Sequence, residues 1–215
     1  MEKKSVLLLG ATGLVGSECL KLLLSGDIYD RILILARRPL PDTWDDPRIE
    51  QHVIDFDRPD SYQKFVRTDH VICALGTTIG KAGTKENFYR VDFTYSYRIA
   101  AMARENGAEH FLLVSSVGAN PASPVFYSRV KGELETAIQN LEYRNVTIFR
   151  PSLLMGERAE FRMGEEIGKI FSKLIPFALP GKYRPVHAAA VAAAIMRAAG
   201  EEQPGVRIIT SDALV

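Results

Sequence analysis

Cysteine is scarce in this chain, and so are histidine and long apolar runs. The 215 residues include two cysteines and four histidines. Cys19 falls in a predicted helix and Cys73 in a predicted strand, so we expect two small buried side chains and no disulfide. The histidines lie far apart in the sequence, and no metal-binding motif emerges; His187 is interpreted as structural.

The chain also has almost no excess of charge of either sign. Twenty-seven Lys and Arg residues balance 26 Asp and Glu residues, so no global field attracts nucleic acid or an anionic membrane. No apolar run approaches the roughly 20 residues that span a bilayer, and the strand that begins near Ser5 is too short for a signal-peptide core. We therefore expect a cytoplasmic protein without nucleic-acid or membrane partners.

An apolar strand that meets three glycines is the most informative stretch of the sequence. Gly10, Gly13 and Gly16 have the spacing G-x-x-G-x-x-G, one residue longer in the first gap than the common dinucleotide fingerprint. A helix that starts at Leu14 and stops at Gly26 would place its N-terminus, which attracts anions, against a pyrophosphate. A plain turn is the alternative interpretation. The cofactor contacts predicted here are Gly10, Thr12, Gly13, Leu14 and Val15.

Two arginines follow the second predicted strand, residues 31–36. An NAD-preferring site carries Asp or Glu about 20 residues beyond the glycines, where it binds the ribose 2′-hydroxyl. Arg37 and Arg38 occupy that place, and guanidinium groups suit a 2′-phosphate. The sequence therefore favours NADP, with NAD as the second choice. The alternative is a pair of solvated surface charges.

Two further strand ends predict contacts to the cofactor. Asp55, at the exit of a third strand over His52–Asp57, is placed to accept a hydrogen bond from the adenine amino group, and Phe56 to border the base. Capping of a turn is an equally good interpretation of the aspartate. A fourth strand ends at a glycine, which lets the backbone approach the cofactor at Ala74, Leu75 and Gly76.

The polar segment over residues 77–85 contains glycine and lysine but does not fit an ATP phosphate loop. Its spacing is wrong, and no Ser or Thr follows Lys81. We expect a mobile segment near the active site. A short helix over Ser61–Arg67 precedes it, and a long helix from Phe88 to Asn106 follows. The aromatic side chains of that long helix are expected in the core or at a subunit interface.

A tyrosine and a lysine one helical turn apart form the chemical centre of the sequence. Tyr127 and Lys131 share one face of a helix that begins at Phe126. A neighbouring ammonium favours the phenolate form of a tyrosine, so such a pair can move a proton at neutral pH. Ser115 and Ser116, at the end of a fifth strand, offer a hydroxyl to the substrate oxygen.

These motifs resemble the short-chain dehydrogenase/reductase superfamily, in an atypical, extended-like branch, from Val6 to about Gly156. The sequence Ser115-Ser-Val-Gly-Ala followed by Phe126-Tyr-x-x-x-Lys-Gly-Glu-Leu-Glu is similar to the group named for the human HIV Tat-interacting protein 2. The resemblance implies that Tyr127 is the acid/base, that Lys131 lowers its pKa and contacts the nicotinamide ribose, and that Ser116 orients the substrate, with Ser115 as the second choice.

The resemblance also bears on two other positions. The Arg-Pro turn that follows the sixth strand lies beside the nicotinamide in relatives, which implies Pro151 as a cofactor contact, although a simple turn is an equal alternative. Active members often carry Asn in the fourth helix, whereas this chain has Asp92. A carboxylate cannot donate as an amide does, so a proton relay through this position is in doubt.

The alternation of strands and helices predicts an α/β fold: a doubly wound parallel sheet, the NAD(P)-binding Rossmann fold, as a single domain over residues 1–215. Residues 152–185 and 200–215 are expected to form a small substrate-covering region. Within or beside it we expect a helix over Met163–Leu174, another over His187–Ala199 and a late strand over Val206–Thr210.

Two functions fit these features. The leading hypothesis is an NADP-dependent oxidoreductase that moves hydride between nicotinamide and a small carbonyl or alcohol substrate. The rival is a non-catalytic NADP(H) sensor that acts through a protein partner. The sequence leaves homo-oligomer formation open, and nucleic-acid binding ranks last because no basic stripe is present.

Overall fold

The computed structural model describes residues 3–156, 183–201 and 203–214. Their strands are β1 (Lys4–Leu9), β2 (Tyr29–Ala36), β3 (Ile49–Val53), β4 (His70–Cys73), β5 (His110–Val114), β6 (Asn145–Arg150), β7 (Leu154–Met155), β8 (Val186–His187) and β9 (Gly205–Thr210). Seven of these strands form one parallel sheet with the order β3-β2-β1-β4-β5-β6-β9. A separate parallel pair joins β7 and β8.

Helices connect the strands and cover both faces of the sheet. A π-helical segment, Arg90–Tyr95, joins two of them without a break. Short 3₁₀ turns occur at Pro59–Ser61, Gln63–Phe65 and Ser211–Ala213. The α-helices are α1 (Leu14–Ser25), α2 (Ile79–Ala82), α3 (Lys85–Tyr89), α4 (Ser96–Glu105), α5 (Phe126–Gln139) and α6 (Ala188–Glu201).

The side chains of β1 show how the two layers of the core are built. Successive strand residues point to opposite faces. Val6 and Leu8 belong to the cluster that contains the buried residues of α1 and α6. Leu7 and Leu9 belong to the cluster that contains the buried residues of α4 and α5. Because all four are fully buried, the strand is apolar on both faces, as a central parallel strand must be.

The strand order places a crevice at one edge of the sheet. β1 pairs with β2 on one side and with β4 on the other, so the chain reverses its direction of winding between β1 and β4. At such a reversal the loops that follow the two strands separate, and ligands bind outside the carboxyl ends. The glycine loop after β1 and the Ala74–Gly76 segment after β4 both lie there. The predicted doubly wound parallel sheet is thus confirmed.

Several predicted boundaries need correction. The third strand begins at Ile49, before the predicted His52, and ends at Val53. It ends there because Asp55 turns the chain by accepting the Asp57 N–H at 2.9 Å. The predicted helix over Ser61–Arg67 is replaced by two 3₁₀ turns. The predicted long helix starts at Lys85, three residues early, because Thr84 caps it by accepting the Asn87 N–H. It also changes to π geometry in its middle, which no local sequence signal had indicated.

The C-terminal part agrees with the sequence in its elements. The predicted helix over His187–Ala199 is α6, although His187 itself belongs to β8. The late strand is β9, which pairs with β6 as an edge of the main sheet, so this part of the 200–215 stretch belongs to the sheet. The predicted helix over Met163–Leu174 lies outside the described residues. Cys19 and Cys73 are buried and free, as predicted.

Candidate functional site

The glycine loop after β1 is shaped by close contacts that only glycine permits. Gly10 has a φ of 81°, and a Cβ there would lie 2.5 Å from the carbonyl oxygen of Ala74. A Cβ on Gly16 would lie 2.0 Å from the carbonyl oxygen of Gly10, so the helix packs directly on the loop. The Gly13 N–H donates to the same Gly10 oxygen at 2.8 Å and closes the turn. Two of the three glycines are therefore required by packing alone.

The N-terminus of α1 is suited to an anion. Its cap is Gly13, which offers no side chain to the first N–H groups, and the first turn contains no acidic residue. The helix therefore keeps its positive N-terminal potential. Leu14 and Val15, the first two helical residues, line a cavity of about 150 Å³ next to this end. Thr12 is exposed in the turn before them.

A larger cavity, of about 660 Å³, lies beside the ends of β2, β3 and β4. Arg37, Asp55 and Phe56 line it, so the structure brings these three predicted residues together from two segments, one after β2 and one after β3. Arg38 is exposed and is not among its lining residues. Asp55 both lines the cavity and holds the turn to Asp57, so the two interpretations of this residue are compatible.

The two cavities form one groove, because four residues line both of them. These shared residues are Leu75, Gly76, Thr77 and Lys81. The smaller cavity also contains Ala74, Tyr127 and Lys131. A continuous path thus leads from Arg37, at the end of β2, to the tyrosine and lysine on α5. The residues at its two ends are those that the sequence analysis assigned to the adenosine and nicotinamide ends of a cofactor site.

The groove contains one lysine that the sequence analysis did not place in the site. Lys81 lies on α2, and Thr78 caps this short helix by accepting the Lys81 N–H at 3.2 Å. The segment that the sequence analysis expected to be mobile thus includes a capped helical turn. No motif marks Lys81; the fold brings it into the smaller cavity together with Leu14 and Val15, the first residues of α1.

Lys131, one helical turn after Tyr127, forms a buried ion pair with Asp92. The Lys131 ammonium lies 2.7 Å from Oδ1 of Asp92, with side-chain exposures of 7% and 0%. Oδ2 of Asp92 accepts the Thr77 N–H at 2.8 Å. A Cβ on Gly76 would lie 3.2 Å from the same carboxylate, which shows how closely the groove segment covers the pair. The sequence analysis singled out Lys131, Asp92 and Gly76 but not Thr77, and it did not predict the ion pair.

Burial and charge act in opposite directions on this pair. Burial disfavours the charged form of Lys131, but the electrostatic effects of Asp92 and Tyr127 outweigh it and raise the pKa of the lysine. Burial raises the pKa of Asp92, opposed by the lysine ammonium and the Thr77 N–H. At neutral pH, Lys131 is therefore a fixed cation beside the tyrosine.

The two serines after β5 differ in their hydrogen bonds. Ser115 is buried and donates its hydroxyl proton to Glu135 at 2.5 Å, and Glu135 is ion-paired with Arg150. Ser116 is half-buried and makes one long hydrogen bond, 3.3 Å, to the Val117 carbonyl. Ser115 lines the smaller cavity, whereas Ser116 does not. The hydroxyl proton of Ser115 is therefore already used in the hydrogen bond to Glu135.

Glu135 has a recognisable signal in the sequence that the analysis missed. Tyr127, Lys131 and Glu135 are spaced four residues apart and so share one face of α5. The last of them, Glu135, is buried and forms an ion pair with Arg150, at the end of β6.

Pro151, predicted beside the nicotinamide, is buried, and its carbonyl accepts the Val117 N–H at 2.9 Å. It lines neither cavity. Its role as a cofactor contact stays a prediction.

Metal ligands do not cluster in the described part of the chain. Within residues 3–156, 183–201 and 203–214 no group of three or more His, Cys, Asp or Glu side chains could hold a metal ion. His187 is exposed in β8 and lines neither part of the groove.

Comparison with known families agrees with this geometry. A model of the NAD dependent epimerase/dehydratase family matches residues 6–211. The chain belongs to this family. The protein HTATIP2 of Rattus norvegicus is 37% identical over 180 residues, which cover 82% of this chain and 73% of the relative. The predicted resemblance to an atypical branch of short-chain dehydrogenases, close to the Tat-interacting protein 2 group, is thereby confirmed.

Solved structures support the same fold. The Bordetella bronchiseptica enzyme WbmH in complex with NAD+ superposes with a TM-score of 0.74 and 16% identity, covering 98% of this chain and 76% of that one. A UDP-N-acetylglucosamine 4-epimerase from Methanobrevibacter ruminantium, in complex with UDP-N-acetylmuramic acid, gives a TM-score of 0.72 with 16% identity, covering 98% and 77%. At this identity the likeness shows the fold alone, the NAD(P)-binding Rossmann fold.

The expected cytoplasmic location is contradicted by the yeast relatives. Protein FMP52 of Candida albicans, which is named as mitochondrial, is 39% identical over 163 residues, covering 73% of this chain and 69% of the relative. Comparable proteins of Lodderomyces elongisporus and Debaryomyces hansenii carry the same name. As for membranes, none of the helices that the structure describes is long and apolar enough to cross a bilayer.

Proposed function

We propose that this protein is an NADP-dependent oxidoreductase that interconverts a small carbonyl compound and its alcohol. The observation that carries the proposal is the joined groove, which has Arg37 at one end and the Tyr127–Lys131 pair at the other. Its volume, about 660 and 150 Å³ in two connected parts, suits an extended dinucleotide with a small substrate beyond it.

The residues proposed to hold the cofactor divide along the groove. The glycine loop and the start of α1 would bind the diphosphate, and Arg37 the 2′-phosphate through charge-assisted hydrogen bonds. Phe56 and Asp55 would border the adenine, and Lys131 would contact the nicotinamide ribose. The full proposed set is Gly10, Thr12, Gly13, Leu14, Val15, Arg37, Arg38, Asp55, Phe56, Ala74, Leu75, Gly76, Lys131 and Pro151.

The proton chemistry would belong to α5. When bound, NADP(H) supplies the hydride acceptor or donor. Tyr127 would pass a proton to or from the substrate oxygen, and the Lys131 ammonium would stabilise its phenolate form. Ser116 would orient the substrate oxygen by donating a hydrogen bond. Its neighbour is the weaker candidate, because Ser115 already donates to Glu135.

A panel of small aldehydes, ketones and alcohols tests this proposal. Wild-type protein should oxidise NADPH or reduce NADP with at least one member, and Tyr127→Phe should lose turnover while it still binds NADPH. A ring without the hydroxyl keeps the packing against Phe88, whose centroid lies 5.6 Å away, so the variant should fold. Equal turnover by wild type and Tyr127→Phe would overturn the assignment of the tyrosine.

A second candidate function is an NADP(H) sensor that acts through a protein partner. One observation favours it: the carboxylate of Asp92, a position for which the family resemblance implies Asn in active members, is ion-paired with Lys131 and accepts the Thr77 N–H. Wild-type protein that binds NADPH but turns over no member of a broad panel would support the sensor. Turnover that Tyr127→Phe abolishes would exclude it.

A further inference from the structure

We propose that Asp92 is a positioning residue, which fixes the Lys131 ammonium beside Tyr127 and ties it to the groove segment at Gly76 and Thr77. The inference deepens the proposed function, because it concerns the same site. It departs from the relay that an asparagine at this position would serve, since a carboxylate forms an ion pair with the lysine directly. Under this proposal Lys131 is a permanent cation and not a proton carrier.

The contacts of the carboxylate carry the first part of the argument. One oxygen of Asp92 lies 2.7 Å from the Lys131 ammonium, and the other accepts the Thr77 N–H at 2.8 Å. Each oxygen thus has its own strong partner, one on α5 and one in the loop after β4. A single buried side chain therefore connects the element that bears the tyrosine to a residue that lines both parts of the groove.

Burial carries the second part. Asp92 is completely buried and Lys131 nearly so, and a buried charge persists only if it is paired. Breaking such a pair by removing one partner leaves an uncompensated charge in the interior, which is strongly unfavourable. The carboxylate therefore determines both where the ammonium lies and whether it stays protonated.

The surroundings of the pair leave it little freedom. A Cβ on Gly76 would lie 3.2 Å from Oδ1 of Asp92 and 3.5 Å from the Lys131 Nζ, so a side chain at this position would press on both charges. Three titratable groups act on the lysine: Asp92 from the π-helical segment, Tyr127 from α5 and Cys73 from β4. Of these, Asp92 is the one whose contact with Lys131 is an ion pair.

Lysine NMR on the full chain tests the proposal without coenzyme or substrate. With ¹³C,¹⁵N-labelled lysine, the Nζ signal of Lys131, assigned from its absence in Lys131→Arg, is followed against pH. In wild type the midpoint of this titration should lie above a pH of about 10.4, the ordinary pKa of lysine. In Asp92→Asn, which keeps the shape and an acceptor for Thr77, the midpoint should fall below about 10.4.

Glu135→Gln is the matched control. It also removes a buried, ion-paired carboxylate, in this case one that lies on α5 itself, and its partner is Arg150 and not Lys131. The Lys131 titration of this variant should follow wild type. The proposal is overturned if wild-type Lys131 titrates at its ordinary value, if Asp92→Asn titrates like wild type, or if Glu135→Gln shifts the midpoint as far as Asp92→Asn does.

A stability comparison decides the case in which Asp92→Asn does not fold. The double variant Asp92→Asn/Lys131→Met removes both charges, so it should fold where the single variant fails, because no ammonium is left unpaired. If the double variant also fails, the ion pair is not what the carboxylate provides and the proposal is wrong. None of these results depends on coenzyme binding or turnover, so the proposed function can fail independently, in the substrate panel.

Discussion

Ser115 and Ser116 are neighbours, yet their hydroxyl groups serve different purposes in the structure. Ser115 donates to the buried Glu135, whose other contacts go to Arg150, and so it joins β5 to α5 and β6. Ser116 makes only a long hydrogen bond to a carbonyl, which a substrate oxygen can replace. The sequence alone did not separate these roles, because both residues follow the same strand.

The two alanine variants should therefore differ in kind. Ser115→Ala leaves part of a buried carboxylate unsatisfied and should lower the free energy of unfolding by about 1–3 kcal/mol, measured by urea denaturation. Ser116→Ala should leave stability within about 0.5 kcal/mol and should lower kcat with the substrate found in the panel. Reversal of the two effects would show that Ser115 is the substrate-orienting residue.

Lys81 and Arg37 give a second contrast between residues. Lys81 lines both parts of the groove, and in the smaller part it lies with the first residues of α1, so we expect it to attract the diphosphate, which both coenzymes share. Lys81→Ala should weaken NADPH and NADH binding by a similar factor, about tenfold for a lost charge-assisted hydrogen bond of about 1.5 kcal/mol. Fluorescence titration of each coenzyme measures this.

Arg37→Ala should instead weaken NADPH binding more than NADH binding, because only NADPH carries the 2′-phosphate. Lys85→Ala is the control, since Lys85 lies on the next helix and lines neither part of the groove. It should change neither affinity at physiological salt. An equal loss of both coenzymes in Arg37→Ala would refute the role assigned to that arginine.

At the scale of elements, α5 depends on a close contact with the loop before it. A Cβ on Gly132 would lie 2.3 Å from backbone atoms of Asn120 and Pro121. This is too close for any side chain, so the helix or the loop would have to move apart to admit one. This contact is made by the helix that carries Tyr127 and Lys131. The loop therefore sets the distance between α5 and the end of β5.

Gly132→Ala should be severely destabilising, by about 3 kcal/mol or more, because the added methyl group forces α5 away from the loop. Gly80→Ala, on the exposed surface of α2, meets nothing within 4 Å and should be neutral or gain up to about 1 kcal/mol of helix propensity. Chemical denaturation of both variants measures the difference. Equal stability of the two would contradict the account of how α5 is placed.

The elements were largely predictable, whereas the contacts between them were not. Strand periodicity and the glycine spacing predicted β1 and α1, because these patterns are local. The π-helical segment has no such pattern, and it determines where Asp92 lies along the helix. The Asp92–Lys131 ion pair joins residues 39 positions apart in sequence, so only the packed fold brings them together.

At the scale of the whole molecule, the end of the sheet opposite the groove holds a buried histidine pair. His70 and His110 begin β4 and β5, with ring centroids 5.2 Å apart, and Tyr29 hydrogen-bonds to His70 at 2.7 Å. Burial lowers the pKa of His70 to about 3 and that of His110 to about 4. Both rings are therefore neutral in the folded protein at neutral pH.

This pair should make the fold sensitive to acid. Below a pH of about 6.5 the histidines of the unfolded chain bind protons, whereas those of the folded protein stay neutral. The free energy of unfolding therefore falls as the pH decreases toward 4, by at most about 1.4 kcal/mol per pH unit for each histidine. His110→Gln should reduce that slope, measured by urea denaturation between pH 7 and pH 4. An unchanged slope would show that His110 does not contribute to the loss.

The central claim is that a pyridine coenzyme binds across the break in the sheet, with its diphosphate at the start of α1. Isothermal titration calorimetry of the folded chain with NADPH and NADH tests it most directly. The account predicts one site per chain and at least about tenfold tighter binding of NADPH, which corresponds to about 1.4 kcal/mol from the 2′-phosphate. Failure of well-folded protein to bind either coenzyme would contradict it.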